Sequence, residues 1–276
     1  MRVLILAVVC AALLTAAPAL EIVRPVITEV EGGAPDPPGF DHIPGEILYF
    51  SCRVSGFTKT EDEKVHVAYS VQGFDPNGLP LDELYKNEVQ VEAGPNDKDW
   101  MPKIATSVSI PPLAPSGEYK IVIKAEDVVA KTSTELTVPF RVRGRDIAPS
   151  DTLLVREFHY YRGEDDPQPL AKAVYHAGDA VWARFDITGY KYGKPRNKTN
   201  VSYVTTVLTA EGKVLWTQPE PAVDESEGFY PKRFIPASMS ISLQANFKPG
   251  EYAIGLTVKD AVDEQVFEAK YPFLVE

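Results

Sequence analysis

Shifted against itself by 133 residues, the chain meets its own landmarks again. Gly45 falls on Gly178 and Gly56 on Gly189, and Gly117-Glu118-Tyr119 falls on Gly250-Glu251-Tyr252. Asp127 meets Asp260, Pro139-Phe140 meets Pro272-Phe273, and Val142 meets Val275. Ser107-Val108-Ser109-Ile110 lies over Ser240-Ile241-Ser242-Leu243. One offset held over so long a stretch predicts two copies of a single unit of about 125 residues, each closing its own core. We place the first copy at residues 20–145 and the second at 146–276, joined near Arg143–Asp151, where Arg-Gly-Arg-Asp-Ile-Ala-Pro-Ser-Asp reads as a linker.

Within each copy the apolar residues alternate with period two, the signature of half-buried strands. Leu48, Phe50, Cys52 and Val54 share one face, matched by Val181, Ala183, Phe185 and Ile187. Tyr119, Ile121, Ile123 and Ala125 repeat as Tyr252, Ile254, Leu256 and Val258. Val65–Val71 matches Val201–Val207 only at an offset of 136, so the second copy gains three residues near Lys194–Asn200. Turn chemistry punctuates the strands at Asp75-Pro76-Asn77-Gly78 and Ala210-Glu211-Gly212-Lys213. Twenty-four prolines and eighteen glycines fit many turns and few long helices. A short helix is expected only near Leu81–Lys86. Pro139 and Pro272 lack the ladder donor and point away from the apolar set, which predicts an edge strand or a bulge. The fold class is therefore all-β, two tandem antiparallel β-sandwiches related by internal duplication.

The tail of each copy resembles bacterial immunoglobulin-like or fibronectin type III-like sandwich repeats. It runs Pro-Gly-Glu-Tyr in the second copy (Ser-Gly-Glu-Tyr in the first), then alternating apolars, Asp, a turn and a closing Phe-x-Val strand. The resemblance implies a sandwich fold in an extracytoplasmic setting and brings no catalytic residues. The antibody-type Cys…Trp…Cys spacing is missing, so no immune-receptor reading follows.

The first nineteen residues set the compartment. Arg2 precedes the apolar run Val3–Leu14, and Ala17-Pro18-Ala19 supplies small residues at the end, the order of a secretory signal peptide cut after Ala19. Cys10 is preceded by Val8 and Val9, unlike a lipoprotein acylation site, and reads as part of that run. No second run of bilayer length occurs, so no span is expected in the mature chain. Cys52 is then the only remaining thiol, and a secreted protein without a disulfide points to a bacterial envelope, periplasmic or secreted. The chain closes at Glu276 on the last strand of the second copy, and we expect neither a C-terminal anchor nor an appended enzyme.

Charge and motif exclude several functions. Thirty-nine acidic against 28 basic residues give a net charge of −11, which opposes a nucleic-acid groove. His42, His66, His159 and His176 include no His-Glu-x-x-His pair, and neither a P-loop nor a Gly-x-Ser-x-Gly elbow is present. Cys52 occupies the position of Phe185, where a small buried hydrophobe fits and a reactive thiol does not. Tyr119 and Tyr252 each open a strand behind a glycine turn, where a hydroxyl can bond a loop carbonyl as in a tyrosine corner. The acidic turns at Glu164-Asp165-Asp166, at Glu126-Asp127 and at Asp260, Asp263 and Glu264 could offer calcium oxygen ligands at the domain junction, or simply stand in solvent; no Asp-x-Asp-x-Asp-Gly loop is present.

Aromatic residues supply the remaining candidates. Tyr49 and Trp182 lie at matching positions opposite the apolar set, and Trp100 and Trp216 fall in less regular stretches. Such rings stack on sugars or anchor a protein partner, or else a neighbouring loop covers them. We expect no catalytic residue, cofactor or metal site. The expected protein is a non-catalytic binding or structural module of the cell envelope, engaging a protein or glycan through loops, sheet edges or the crevice between copies. The alternatives are an envelope hydrolase with an interdomain site, and a protease-inhibitor or chaperone-like module.

Overall fold

Residues 19–94, 97 and 99–276 are described by a computed structural model of the chain. The predicted signal peptide, Cys10 included, lies outside them but for Ala19. The described residues form seventeen strands and no helix. The first half holds β1 (Glu21–Thr28), β2 (Asp41–His42), β3 (Ile47–Ser55), β4 (Lys64–Phe74), β5 (Tyr85–Glu92), β6 (Lys103–Ser109), β7 (Gly117–Asp127) and β8 (Thr132–Val142). The second holds β9 (Leu154–Tyr161), β10 (Val174–Tyr175), β11 (Ala180–Thr188), β12 (Thr199–Thr209), β13 (Val214–Thr217), β14 (Ala222–Ser226), β15 (Ile235–Ser242), β16 (Gly250–Asp260) and β17 (Gln265–Val275).

In the first half a three-stranded sheet, β1-β3-β6, faces a five-stranded sheet, β2-β8-β7-β4-β5. Both contribute to one apolar cluster that takes Leu48, Phe50, Cys52 and Val54 from β3 and Val67, Ile121, Ile123 and Phe140 from the opposite sheet. In the second half β9-β11-β15 faces β10-β17-β16-β12-β13, with β14 also paired to β12. Val181, Phe185, Ile187, Ile254, Leu256, Val258 and Phe273 fill its cluster. Each half is thus a sheet pair around its own core, the layering of a β-sandwich. A fully buried Leu, Ile or Phe contributes roughly 1.5–3 kcal/mol, which makes these alternating residues the main source of cohesion.

Backbone irregularities recur at the same spacing as the sequence landmarks. Arg24 and Glu157 both have positive φ, and each lies in a β-bulge where β1 or β9 slips register against β3 or β11. The short parallel strands β2 and β10 lie beside the closing strands β8 and β17. Tyr119 donates its hydroxyl to the Pro115 carbonyl and Tyr252 to that of Lys248, each at 2.8 Å. Asp127 accepts the amides of Thr58, Val129 and Ala130, and Asp260 those of Lys191 and Val262. Most of β8 and β17 borders no other strand on the side away from β7 and β16, and Pro139 and Pro272 stand exposed there without interrupting the register.

The helix expected near Leu81–Lys86 is not formed. Leu81 is buried beneath Gly73, its amide bonded to the Gly73 carbonyl at 2.9 Å, and Tyr85 and Lys86 already pair with Val71 and Ser70. The return strand begins too soon after this anchor for a helical turn to close. The three extra residues of the second half fall in a turn tied by reciprocal Gly193–Lys198 backbone bonds.

Candidate functional site

The two halves meet at a crevice of about 870 Å³ that is built wholly from loops. Pro76 and Asn77 come from the β4–β5 turn, Leu113, Pro115 and Ser116 from the approach to β7, and Arg145–Ser150 from the linker. Gly189–Tyr192 follow β11, and Arg233 and Phe234 precede β15. The lining carries three cations, Arg145, Lys191 and Arg233, and one carboxylate, Asp146.

Local turn chemistry prepares the main contact across the crevice. Asp75 Oδ1 accepts the amides of Asn77 and Leu79, each at 2.8 Å, which folds the Asp-Pro-Asn-Gly turn around its own side chain. The other oxygen, Oδ2, reaches the second half, where Tyr230 Oη donates at 2.9 Å and Arg233 Nη2 at 2.6 Å. Arg233 Nε also donates to Tyr230 Oη. Burial pushes the Asp75 carboxyl up, but the Leu79 amide, the Tyr230 hydroxyl, the Asn77 amide and Arg233 together hold it below the usual carboxylate range. A second clamp ties the linker to the second half: Arg145 binds Asp186 through both terminal nitrogens, at 3.2 and 2.6 Å. Asp186 is buried while Arg145 faces outward, 3% and 56% exposed in their side chains. The hydroxyls of Tyr190 and Tyr192 both donate to the Lys232 carbonyl.

The carboxylates that adjoin the crevice are therefore engaged. Glycoside hydrolysis needs two carboxyl groups about 5–10 Å apart facing one space, and the described lining holds only Asp146. Cys52 is buried, and desolvation pushes its thiol up to about 12, which suppresses the thiolate. Among the described residues no three His, Cys, Asp or Glu side chains converge in metal-binding geometry. The Glu164–Asp166 loop turns the carbonyls of Glu164 and Asp166 toward the Arg184 guanidinium, which also lies 4.2 Å from the Tyr161 ring.

The four aromatic candidates are not brought together. Tyr49 and Trp182 are half-buried on the outer faces of the two three-stranded sheets. Tyr49 lines a groove with Thr28, Ser51 and Ser107, whereas the strand partners of Trp182 are Tyr161 and Ser240. Trp100 packs edge-on against Phe57 at the border of the first core. Trp216 sits on the edge strand β13, 41% exposed. The residues missed from sequence are Asp75, Arg145, Tyr230 and Arg233. Asp75 heads a turn motif that was legible, but its partners lie more than 150 residues away with no pattern to link them.

No family profile matches the chain, and no curated protein matches it. Solved structures that align with it include a family 123 glycoside hydrolase from Clostridium perfringens, at 17% identity and a TM-score of 0.29 over 45% of this chain. The aligned part spans 27% of that hydrolase. The C-terminal domain of the Streptococcus agalactiae antigen I/II polypeptide BspA aligns at 11% identity and a TM-score of 0.32, over 93% of this chain and 100% of that one. The C-terminal domain of the Streptococcus pyogenes antigen I/II-family protein AspA gives 12% identity and 0.31, over 92% and 99%.

Proposed function

We propose that this chain is a non-catalytic binding or structural protein of two β-sandwich units, exported to a bacterial envelope, where it engages a protein or glycan partner. One observation carries the reading: the crevice concentrates loops and cations, yet the buried carboxylates beside it, Asp75 and Asp186, are committed to holding the halves and the linker together. A hydrolase would need those groups free for proton transfer. The unit boundaries, 20–145 and 146–276, and their origin by duplication are supported by the paired tyrosine hydroxyls, paired buried aspartates and paired bulges 133 residues apart. Export and cleavage after Ala19 rest on the leader's charge and apolar pattern. No helix among the described residues is long and apolar enough to cross a membrane.

The test pairs capture with turnover. Purified protein immobilised and exposed to envelope extract should retain one partner, released by competing soluble protein. The same preparation should leave ester, peptide and glycoside substrates unchanged. Turnover that survives repurification and disappears with a crevice substitution would overturn the reading.

A further inference from the structure

We infer that the crevice between the halves binds an acidic oligosaccharide, a glycan bearing carboxylate or sulfate groups. The inference rests on the binding-module reading and names the ligand class for that site. In a chain of net charge −11, this concave space has three cations to one carboxylate in its lining. The arrangement behind the lining matters more than the count. Arg145 is gripped by Asp186 and Arg233 by Asp75, and neither of those carboxylates reaches the crevice wall. The Asp75–Arg233 pair therefore turns its positive end toward the cavity, while Arg145 stands between the crevice and a neighbouring cavity that Asp186 and Glu157 also line, each guanidinium already fixed in place. A guanidinium has five N–H donors. Arg145 spends two on Asp186, and Arg233 spends two on Asp75 and Tyr230, so each retains donors for an incoming anion. Lys191 donates to the Asp151 carbonyl and likewise keeps ammonium hydrogens free of that bond. Fixed charged donors bind anions more strongly than mobile ones, because the ordering cost is already met by the fold.

The rest of the lining separates a glycan from a peptide. None of the lining residues belongs to a strand, so no open ladder lies there to pair an extended peptide backbone. Recognition must come from side chains. The wall adds the exposed ring of Tyr192 and the Asn77 side-chain amide, groups that stack on a sugar face and bond its hydroxyls, while the Ser116 hydroxyl is committed to Gly144. Its volume of about 870 Å³ is that of a site for a few sugar rings rather than a protein surface.

Calorimetric titration of the purified protein, with hexagalacturonate and a sulfated chondroitin hexasaccharide as probes, tests this against neutral cellohexaose and a hexaglutamate peptide. At least one acidic glycan should bind, weakening as salt rises, while cellohexaose and hexaglutamate bind at least about tenfold more weakly. One charge-assisted bond is worth about a tenfold change in affinity. Lys191→Glu should cost about that factor or more. Arg145→Lys, which keeps the charge and loses the fork, should cost less. Lys131→Glu, in the β7–β8 turn at the far end of the first half, should leave affinity unchanged. Circular dichroism on each variant separates lost binding from lost fold. Binding by neither acidic glycan, tighter binding of hexaglutamate, or affinity indifferent to Lys191→Glu in a folded variant overturns the proposal. Reducing ends are measured in the same samples: their appearance would overturn the non-catalytic reading alone, leaving the crevice assignment standing.

Discussion

Asp75 and Glu211 occupy the same hairpin turn of the two halves, at the offset of 136 that relates β4 to β12, and they do opposite things. Asp75 is sealed between the halves and accepts four hydrogen bonds, two of them from the other half. Glu211 is exposed beside an apolar cavity of about 660 Å³ on the far side of the second half, and it is held only by its own turn. The short strands differ in the same manner. In β2 the imidazole of His42 lies buried 3.2 Å from Asp36 and 3.4 Å from Glu46, whereas Tyr175 of β10 donates to the Tyr161 carbonyl. The long core strands keep their apolar faces in both halves, whereas the turns and the short strands differ even where they are buried, as expected where core packing fixes the scaffold and the connections are free to specialise.

The sharpest break in that comparison is expected at the clamp. Asp75→Ala leaves Tyr230, Arg233 and two turn amides without their acceptor, and because the Arg233 side chain is a third exposed and can be solvated, we expect a loss of about 3 kcal/mol in urea unfolding at pH 7. Glu211→Ala should not move the midpoint. The pH dependence follows from the sign of the shift. A carboxyl whose pKa is lower in the folded chain stabilises it above the unfolded value, about 3.9, and that contribution fades as pH falls through the lowered folded value. The gap between wild type and Asp75→Ala should therefore narrow below about pH 4. A gap that stays constant down to pH 2 would remove the charged clamp from the account.

A smaller effect tests whether the halves are equivalent where the chain begins. At Gly189, φ is +78° and a Cβ would stand 1.9 Å from the Thr152 carbonyl oxygen; at Gly56, φ is +70° and the contact is 2.0 Å from that of Ala19. The cleavage proposed after Ala19 would remove the nearest atoms of the second obstacle, with only the Leu20 nitrogen left at 3.2 Å, and would leave the first intact. In the mature chain, residues 20–276, Gly189→Ala should cost about 2–3 kcal/mol, and Gly56→Ala only the backbone strain of about 1 kcal/mol. Equal losses would argue that the mature chain retains Ala19, which mass spectrometry of its N-terminus checks directly.

What could be read from sequence was what repeats or alternates. The β3 and β7 cores, the turns at Asp75 and Ala210, and the tyrosine-corner bonds of Tyr119 and Tyr252 all follow from local pattern, because strand period and turn chemistry act within a few residues. The expected helix near Leu81 failed because a tertiary anchor, Leu81 under Gly73, overrode weak local preference. The candidate site was largely hidden. Asp75 was visible as a turn former, but its bond to Arg233 joins loops of different units that no periodicity connects. The aromatics singled out instead were dispersed: the face opposite an apolar stripe identifies an outer surface without saying what converges on it. The hydroxyls that were anticipated can be weighed separately. Tyr119 is buried, and Tyr119→Phe should cost about 1–2 kcal/mol; Tyr252 is partly exposed, and Tyr252→Phe should cost less than half as much. Equal costs would mean that burial does not set the value of the corner bond.

The smallest effect concerns the sheet edges. β5 sends Val89 against the first core, while no residue of β13 packs against the second. β13 is nevertheless the more apolar edge, with Val214, Leu215 and Trp216 all exposed. If apolar character alone decided stability, Trp216→Ala would be the costlier change. If burial decides it, Val89→Ala should cost about 1 kcal/mol and Trp216→Ala no more than about 0.5 kcal/mol. Urea unfolding of the two variants separates these cases, with far-ultraviolet dichroism as the signal because one variant loses a tryptophan. A loss above about 1 kcal/mol for Trp216→Ala would place its ring within the cooperative core of the second sandwich. A smaller one leaves β13 as an appended strand, tolerated because the pairing of β12 with β16 already completes the sheet beneath it.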